Sequence, residues 1–172
     1  MAAALLTQQI RDLTDPVEVV SAGVRKTDST VPDEVFEVMA PYGIDLTGHR
    51  KQKMTAPLLE NADLIIGMGR RHVQEAILLD PPCWPQAFTL KELVRRGAEV
   101  GPRRPDQGIR SWIDAVQGDR TRESLAHRSA TDEVDDPFGG SLDRYQATAG
   151  ELAGLTAQLA GLLWGEELGR TG

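Results

Sequence analysis

The residues that most resemble a reaction site are the six that precede the last helical pattern, Asp135-Asp136-Pro137-Phe138-Gly139-Gly140. Proline fixes its own backbone torsion and restricts the residue before it, so the carboxylate of Asp136 is held in one direction. A carboxyl group aimed in this way is the kind of group that acid–base chemistry uses. Asp, Pro and Gly are also ordinary turn residues, and the motif taken alone is better explained as a turn leading into a helix.

The other reactive side chains do not form a recognisable site. Cys83 is the only cysteine and is closely flanked by prolines, so we interpret it as a structural thiol. His49, His72 and His127 have no i, i+4 spacing and no acidic partner that suggests metal binding, and we predict no metal site. Neither G-x-x-x-x-G-K-[ST] nor G-x-G-x-x-G occurs, so we expect no nucleotide and no other cofactor.

The composition predicts one globular domain, residues 1–172, with 40% hydrophobic and 26% charged residues. A net charge of -7 and a pI near 5.0 argue against nucleic acid or a membrane surface as partner. The basic clusters Arg70-Arg71-His72 and Arg103-Arg104 are interpreted as solvated surface. A single cysteine fits a reducing compartment, and residues 1–13 lack the features of a secretory signal. We therefore expect a soluble cytoplasmic protein.

Hydrophobic periodicity predicts helices that alternate with short strands. This alternation is typical of a flavodoxin-like, doubly wound α/β fold, in which helices cover both faces of a parallel sheet. Glycine, proline and arginine in residues 97–108 indicate an exposed connection, and residues 118–132 form a polar segment. The predicted helices cover residues 1–13, 33–40, 55–61, 70–79, 90–96, the surroundings of 112–116 and 142–163, and the predicted strands cover 17–22, 62–68 and 86–89.

The order of several segments resembles the low-molecular-weight protein tyrosine phosphatases, and in particular a bacterial branch of that family. The resemblance covers nearly the whole chain. It rests on Val20-Ser21-Ala22-Gly23, Gly43-Ile44-Asp45-Leu46-Thr47-Gly48-His49-Arg50, Ala62-Asp63-Leu64-Ile65-Ile66-Gly67-Met68, Trp84-Pro85, Phe88-Thr89-Leu90-Lys91-Glu92-Leu93-Val94, the Asp136 motif and the terminal helix.

The resemblance implies hydrolysis of phosphotyrosine, as a phosphorylated protein or a small aryl phosphate. In the family a thiolate attacks phosphorus, loop amides and an arginine hold the phosphate oxygens, and an aspartic acid protonates the leaving oxygen. Asp136 matches the general acid, and Phe138 matches an aromatic wall of the substrate pocket. Ser21 and His49 match residues that support the phosphate loop. Gly69 departs from the acidic residue that is common after Met68, which predicts a missing contact beside the pocket.

The family's nucleophile loop, C-x-x-x-x-x-R, does not occur in this sequence, because the residue six positions after Cys83 is Thr89. In the family this loop follows a central first strand and precedes Ser-Pro-Met and a helix, and residues 1–6 resemble the start of that helix. We therefore expect an N-terminally truncated sheet without its central first strand, poor folding, and no activity in the chain as given. We also expect that the native product carries the strand and loop upstream.

Two other functions remain open from the sequence. The chain is alternatively a non-catalytic phosphatase-like binding module that recognises an anion or a protein partner. A thiol-dependent arsenate reductase is disfavoured, since that chemistry needs cysteines beyond Cys83.

Overall fold

A small parallel sheet separates two groups of helices. β1 (Ile65–Gly67) and β2 (Ala87–Thr89) pair in parallel, with Ile65 opposite Ala87 and Ile66 opposite Phe88. Because successive side chains of a strand point to opposite faces, Ile65 and Ala87 join one hydrophobic cluster and Ile66 and Phe88 join the other. The helix between the two strands makes the crossover that parallel pairing requires.

The computed structural model describes residues 1–24, 31–50, 52–125 and 130–169. Short 3₁₀ turns occur at Ala40–Tyr42, Pro81–Gln86, Glu123–Leu125 and Ala130–Asp132. The α-helices within the described ranges are α1 (Ala2–Gln9), α2 (Asp33–Met39), α3 (Ala56–Glu60), α4 (Arg70–Leu79), α5 (Leu90–Val100), α6 (Ile109–Gln117) and α7 (Leu142–Leu168).

The two faces of the sheet carry cores of different size. The larger core contains side chains from α1, α2, α5, α6 and α7 together with Phe88, and the smaller one lies under α3 and α4. α7 packs against α1, α2 and α5, and a stripe of its side chains is buried from Tyr145 to Trp164. The predicted three-layer flavodoxin-like architecture is thereby confirmed.

The predicted strand at residues 17–22 is wrong, since this segment forms no ladder in the structure. Val17 is 37% exposed and Val20 is 46% exposed. Beyond them Gly23 forms an isolated parallel bridge with Lys53, in which the Gly23 N–H donates to Gln52 and the Gly23 carbonyl accepts from Met54, both at 2.9 Å. The segment is apolar enough for a strand, but no strand of the described residues lies beside it.

The predicted helix at 90–96 is one turn too short, because α5 continues to Val100 through Gly97. The first turn is capped by Thr89, whose Oγ1 accepts a hydrogen bond from the Glu92 N–H at 3.2 Å. Gly97 is buried where α5 meets α6 and α7, and a Cβ atom there would lie 3.0 Å from Trp112 and Leu162. Close helix packing therefore outweighs the low helix propensity of glycine.

α7 continues to Leu168, five residues beyond its predicted end, and β1 is shorter than the strand predicted at 62–68. The remaining elements lie close to their predicted bounds. α1 ends at Gln9, four residues earlier than predicted, although Ile10 is still buried and Leu13 still packs on the core. None of the helices in the described ranges combines the length and the apolar character that crossing a bilayer requires.

The packing around Gly97 generates a stability prediction. We expect Gly97→Ala to destabilise the protein by about 1–3 kcal/mol, because the added methyl group meets a wholly buried indole in a filled core. Gly154→Ala is the matched control, since a Cβ at this α7 position meets nothing within 4 Å. It should stabilise the protein by about 0.5–1 kcal/mol through helix propensity alone. Urea unfolding measures both values, and equal effects would contradict the prediction.

Candidate active site

The predicted acid, Asp136, lies on an exposed turn that leads towards α7. Its Oδ1 atom accepts a hydrogen bond from the Phe138 backbone N–H at 3.1 Å, which forms an Asx turn. Pro137 is buried, and Gly139 adopts a positive φ of 73°, which glycine tolerates without strain. The Gly140 N–H donates to the Pro137 carbonyl at 2.8 Å. The turn thus holds the carboxylate at the surface in one orientation.

The two neighbouring aspartates have different surroundings. Asp135 pairs with Arg144 of α7 at 3.2 Å, and the Asp135 carbonyl accepts a hydrogen bond from Thr148 Oγ1 at 3.5 Å. Asp136 forms no ion pair with any cation of the described residues. Asp135 therefore attaches the turn to α7, whereas Asp136 makes no such attachment among the described residues.

The other predicted site residues also lie at the surface. Phe138 is 69% exposed, His49 is exposed, and Ser21 is partly exposed. The backbone N–H of His49 donates to the Leu46 carbonyl at 3.0 Å. Within the described parts of the chain, no hydrogen bond joins Ser21 or His49 to the Asp136 turn. Their grouping around one phosphate stays a prediction.

Four charged side chains form a buried ion cluster that the sequence patterns did not indicate. Arg70 binds Glu92 through Nη1 and Asp132 through Nη2, each at 3.0 Å. Arg120 Nε lies 3.0 Å from the second oxygen of Glu92. All four side chains are at most 6% exposed. The cluster joins α4, α5 and the polar segment 118–132, which is therefore attached to the core on both sides of residues 126–129.

Arg120 also covers the outer edge of β2. Its Nη2 atom donates to the Ala87 carbonyl at 2.6 Å, and its guanidinium lies 3.8 Å from the ring centroid of Phe88. Burial lowers the pKa of Arg120 to about 10, and the adjacent Arg70 charge acts in the same direction, while Glu92 opposes both. At neutral pH the group remains a cation that can hold Glu92.

The interpretation of both basic clusters as solvated surface was partly wrong. Arg70 is buried, although Arg71 and His72 are exposed. Arg103 pairs with Glu167, and its Nε donates to the Leu163 carbonyl at 2.7 Å. Glu92 gives little sequence signal of this cluster, because it follows Lys91 and the two residues together resemble an exposed helix surface. Its burial beside Leu90 and Leu93 is visible only in the folded structure, where a buried carboxylate requires a cation.

Cys83 does not belong to this region. It lies in the 3₁₀ turn Pro81–Gln86, packed against Leu59, Val73 and Ala87 in the smaller core. Burial, together with the nearby Asp80 carboxylate, raises the pKa of the Cys83 thiol to about 11. The thiol is therefore protonated at neutral pH and is a poor nucleophile.

The described residues contain no group of three His, Cys, Asp or Glu side chains placed to hold a metal ion. His49 and His72 are both exposed. His127, the third histidine of the chain, lies outside the described residues.

Sequence comparison finds a family match over residues 1–98, to the family described as low molecular weight phosphotyrosine protein phosphatase. The chain is 37% identical over 94 residues to EpsP of Ralstonia solanacearum, a probable low molecular weight protein-tyrosine-phosphatase. That match covers 54% of this chain and 62% of the relative, so the chain spans less than two thirds of the length of this relative. The Asp136 turn lies outside residues 1–98.

Structural comparison extends the similarity to most of the chain. A low molecular weight protein tyrosine phosphatase from Bacillus subtilis superposes with a TM-score of 0.66 at 27% identity, covering 94% of this chain and 85% of the other. The YwlE arginine phosphatase from Geobacillus stearothermophilus gives a TM-score of 0.63 at 26% identity, covering 92% and 80%.

The burial of Cys83 generates a reactivity prediction. Because the folded pKa is raised to about 11 from 9.0, the reactive thiolate is a minor species in the native protein at pH 8 and becomes abundant only as the pH passes 11. We expect iodoacetamide at pH 8 to label Cys83 at least about tenfold more slowly in the native protein than in guanidinium chloride. Mass spectrometry gives both rates. Equal rates would show that the thiol is accessible and ionised in the fold.

Proposed function

Because this chain belongs to the low molecular weight phosphotyrosine protein phosphatase family, we propose that it supplies the general acid and substrate wall of a phosphate monoester hydrolase. Asp136 protonates the leaving oxygen, and Phe138 contacts the aryl group of the substrate. The substrate is a phosphorylated protein or a small aryl phosphate. The single buried thiol fits a reducing compartment, and we place the reaction in the cytoplasm.

The observation that carries this proposal is the state of Asp136. The carboxylate is exposed, has no ion-pair partner within the described residues, and is held by the Phe138 N–H. When the P–O bond of a phosphate monoester breaks, negative charge develops on the leaving oxygen, and a carboxylic acid within reach can donate a proton to it. Its exposure leaves Asp136 within reach of a substrate, and the hydrogen bond from the Phe138 N–H orients its carboxyl group, and these two features support the proposed role.

The substrate class follows from Phe138. Its ring is largely exposed two residues after the proposed acid, where it can stack on an aromatic leaving group. The 37% identical relative is described as a tyrosine phosphatase, which supports an aryl phosphate. One structural relative is described as an arginine phosphatase, so phosphoarginine is the second substrate class to test.

This sequence contains no residue that is suited to act as the nucleophile. Cys83 is buried and protonated and is not followed by the arginine of a C-x-x-x-x-x-R loop. β1 pairs only with β2, so its other edge has no strand partner among the described residues. The exposed apolar residues Val17 and Val20 lie on a segment that joins no ladder among the described residues. These features support a sheet that accepts a further strand, and we propose that catalysis needs that strand with its nucleophile loop.

The second candidate is a non-catalytic module that binds a phosphorylated or anionic partner. The inert environment of the only thiol favours it for the chain as given. The two functions differ in a simple respect, since the binding module has no turnover under any circumstances, whereas the proposed enzyme gains turnover when the strand and loop are supplied.

We predict that the purified 172-residue chain does not hydrolyse p-nitrophenyl phosphate or phosphoarginine above the background rate. A matched extended protein carries an added apolar strand and a C-x-x-x-x-x-R-S-P loop before Met1, and it should hydrolyse the aryl phosphate. Release of p-nitrophenol and of inorganic phosphate measures both. Turnover of the 172-residue chain that disappears in Cys83→Ser would overturn the proposal, and an inactive but folded extended protein would favour the binding module.

In the extended protein, we predict that Asp136→Asn lowers kcat by about 100-fold or more for a poor leaving group such as phenol. The effect should be small for p-nitrophenol, because a good leaving group needs little proton donation. Asp135→Asn is the control for a disturbed turn, because it weakens the pair with Arg144 and should change the rates for phenol and p-nitrophenol leaving groups by the same factor. Comparing kcat across a series of aryl phosphates measures the difference. If Asp136→Asn lowered all rates equally, Asp136 would not be the acid.

A further inference from the structure

We infer that Arg70 and Glu133 are positioning residues for Asp136, and that they hold the acid-bearing turn through the residues immediately before it. This inference rests on the proposed role of Asp136. Three consecutive residues, Asp132, Glu133 and Val134, attach the turn to the rest of the fold, and we name them the anchor.

The first contact of the anchor is at the beginning of α4. The Arg70 backbone N–H donates to Glu133 Oε1 at 3.0 Å. The residue before it, Gly69, is the N-cap of α4 and provides no side-chain hydrogen bond to the helix. A helix N-terminus has unpaired N–H groups and a partial positive charge, so a carboxylate is stabilised there. Glu133 therefore caps α4 from a distant part of the chain.

Gly69 leaves the space that this carboxylate occupies. A Cβ atom built on Gly69 would lie 2.0 Å from Glu133 Oε2, so an ordinary side chain at 69 and the observed position of Glu133 cannot coexist. The sequence resemblance predicted a missing acidic contact at this position. The structure instead places the carboxylate of Glu133 there, so an acidic group is present but is supplied by the turn-bearing segment.

The other two contacts lie on either side of Glu133. Asp132 binds the Arg70 guanidinium at 3.0 Å within the buried ion cluster. The Val134 N–H donates to the Met68 carbonyl at 2.8 Å, directly beyond the end of β1. Three consecutive residues are thus attached to the stretch that joins β1 to α4.

The anchor fixes where Asp136 is presented. After it, Asp135 is attached to α7 and Pro137 is buried, so Asp136 is the exposed, unpaired residue between fixed neighbours. Each ordered residue of a turn loses backbone entropy on folding, and the anchor contacts offset that cost before substrate arrives. Loss of an anchor contact should therefore loosen the turn before it affects the core.

Amide hydrogen exchange of the 172-residue chain, followed by NMR, tests the inference without requiring turnover. We expect Gly69→Ala to accelerate exchange of the Val134 amide by about tenfold or more relative to the Leu93 amide of α5, because the methyl group displaces Glu133. The backbone of Gly69 is extended, with φ near −166°, so alanine adopts it without strain. Glu133→Ala should have the same effect.

The double variant Gly69→Ala/Glu133→Ala gives the sharpest result. Both single changes remove one contact, so we expect the double variant to exchange no faster at Val134 than either single variant. The Phe138 amide resonance, which reports the hydrogen bond to Asp136, should shift in all three. Additive effects of the two changes, or a Phe138 resonance that does not move, would overturn the inference.

Arg120→Lys is the control for a general loss of stability. Arg120 belongs to the same buried ion cluster but contacts Glu92, Ala87 and Phe88 rather than the anchor. It should accelerate exchange in α5 and at Val134 alike, whereas Gly69→Ala should act on the anchor alone. If Gly69→Ala instead accelerated α5 equally, Glu133 would stabilise the fold rather than position the turn. A further outcome separates this inference from the proposed function. If Gly69→Ala loosens the turn but Asp136→Asn in the extended protein has wild-type turnover, the inference about the anchor stands and Asp136 is not the acid.

Discussion

The buried ion cluster is the constraint on which the rest of the structure depends. Two guanidinium groups and two carboxylates are withdrawn from water where α4, α5 and the polar segment meet. Charges in such a place are tolerated only while each has its partner, and removing one partner from a buried pair costs about 3–5 kcal/mol. Arg70 and Arg120 both pair with Glu92. This one side chain therefore connects three parts of the fold, which are the edge of β2, the beginning of α4 and the segment before Asp136.

Elements with a strong local pattern could be predicted from the sequence. The stripe of apolar residues in α7, the buried run around Ile65 and the turn at Pro81–Gln86 all lie close to their predicted places, since periodicity and proline act over a few residues. The three-layer fold followed from the alternation of helices and strands, and the family followed from the resemblance of particular sequence segments. The Asx turn at Asp136 was also indicated by its residue types.

What the sequence did not reveal depends on contacts between distant residues. Residues 17–22 have the composition of a strand, but a strand exists only where a neighbour supplies its hydrogen bonds. Arg70 reads as a surface residue until Glu92 and Asp132, both far along the chain, are placed beside it. For the same reason the family resemblance could nominate Ser21, His49 and Phe138 individually, but it could not place them around one substrate.

The space above Gly69 links two positions that no sequence pattern connects. The carboxylate at the start of α4 can belong to the side chain of residue 69 or to that of residue 133. The two side chains cannot occupy this space together. Within the family, the two positions should therefore vary as a pair, with a glycine at one wherever a long acidic side chain reaches over from the other. Such a pairing would separate the family into two groups, according to which of the two segments provides the carboxylate that caps α4. This separation would not depend on the residues that contact the substrate.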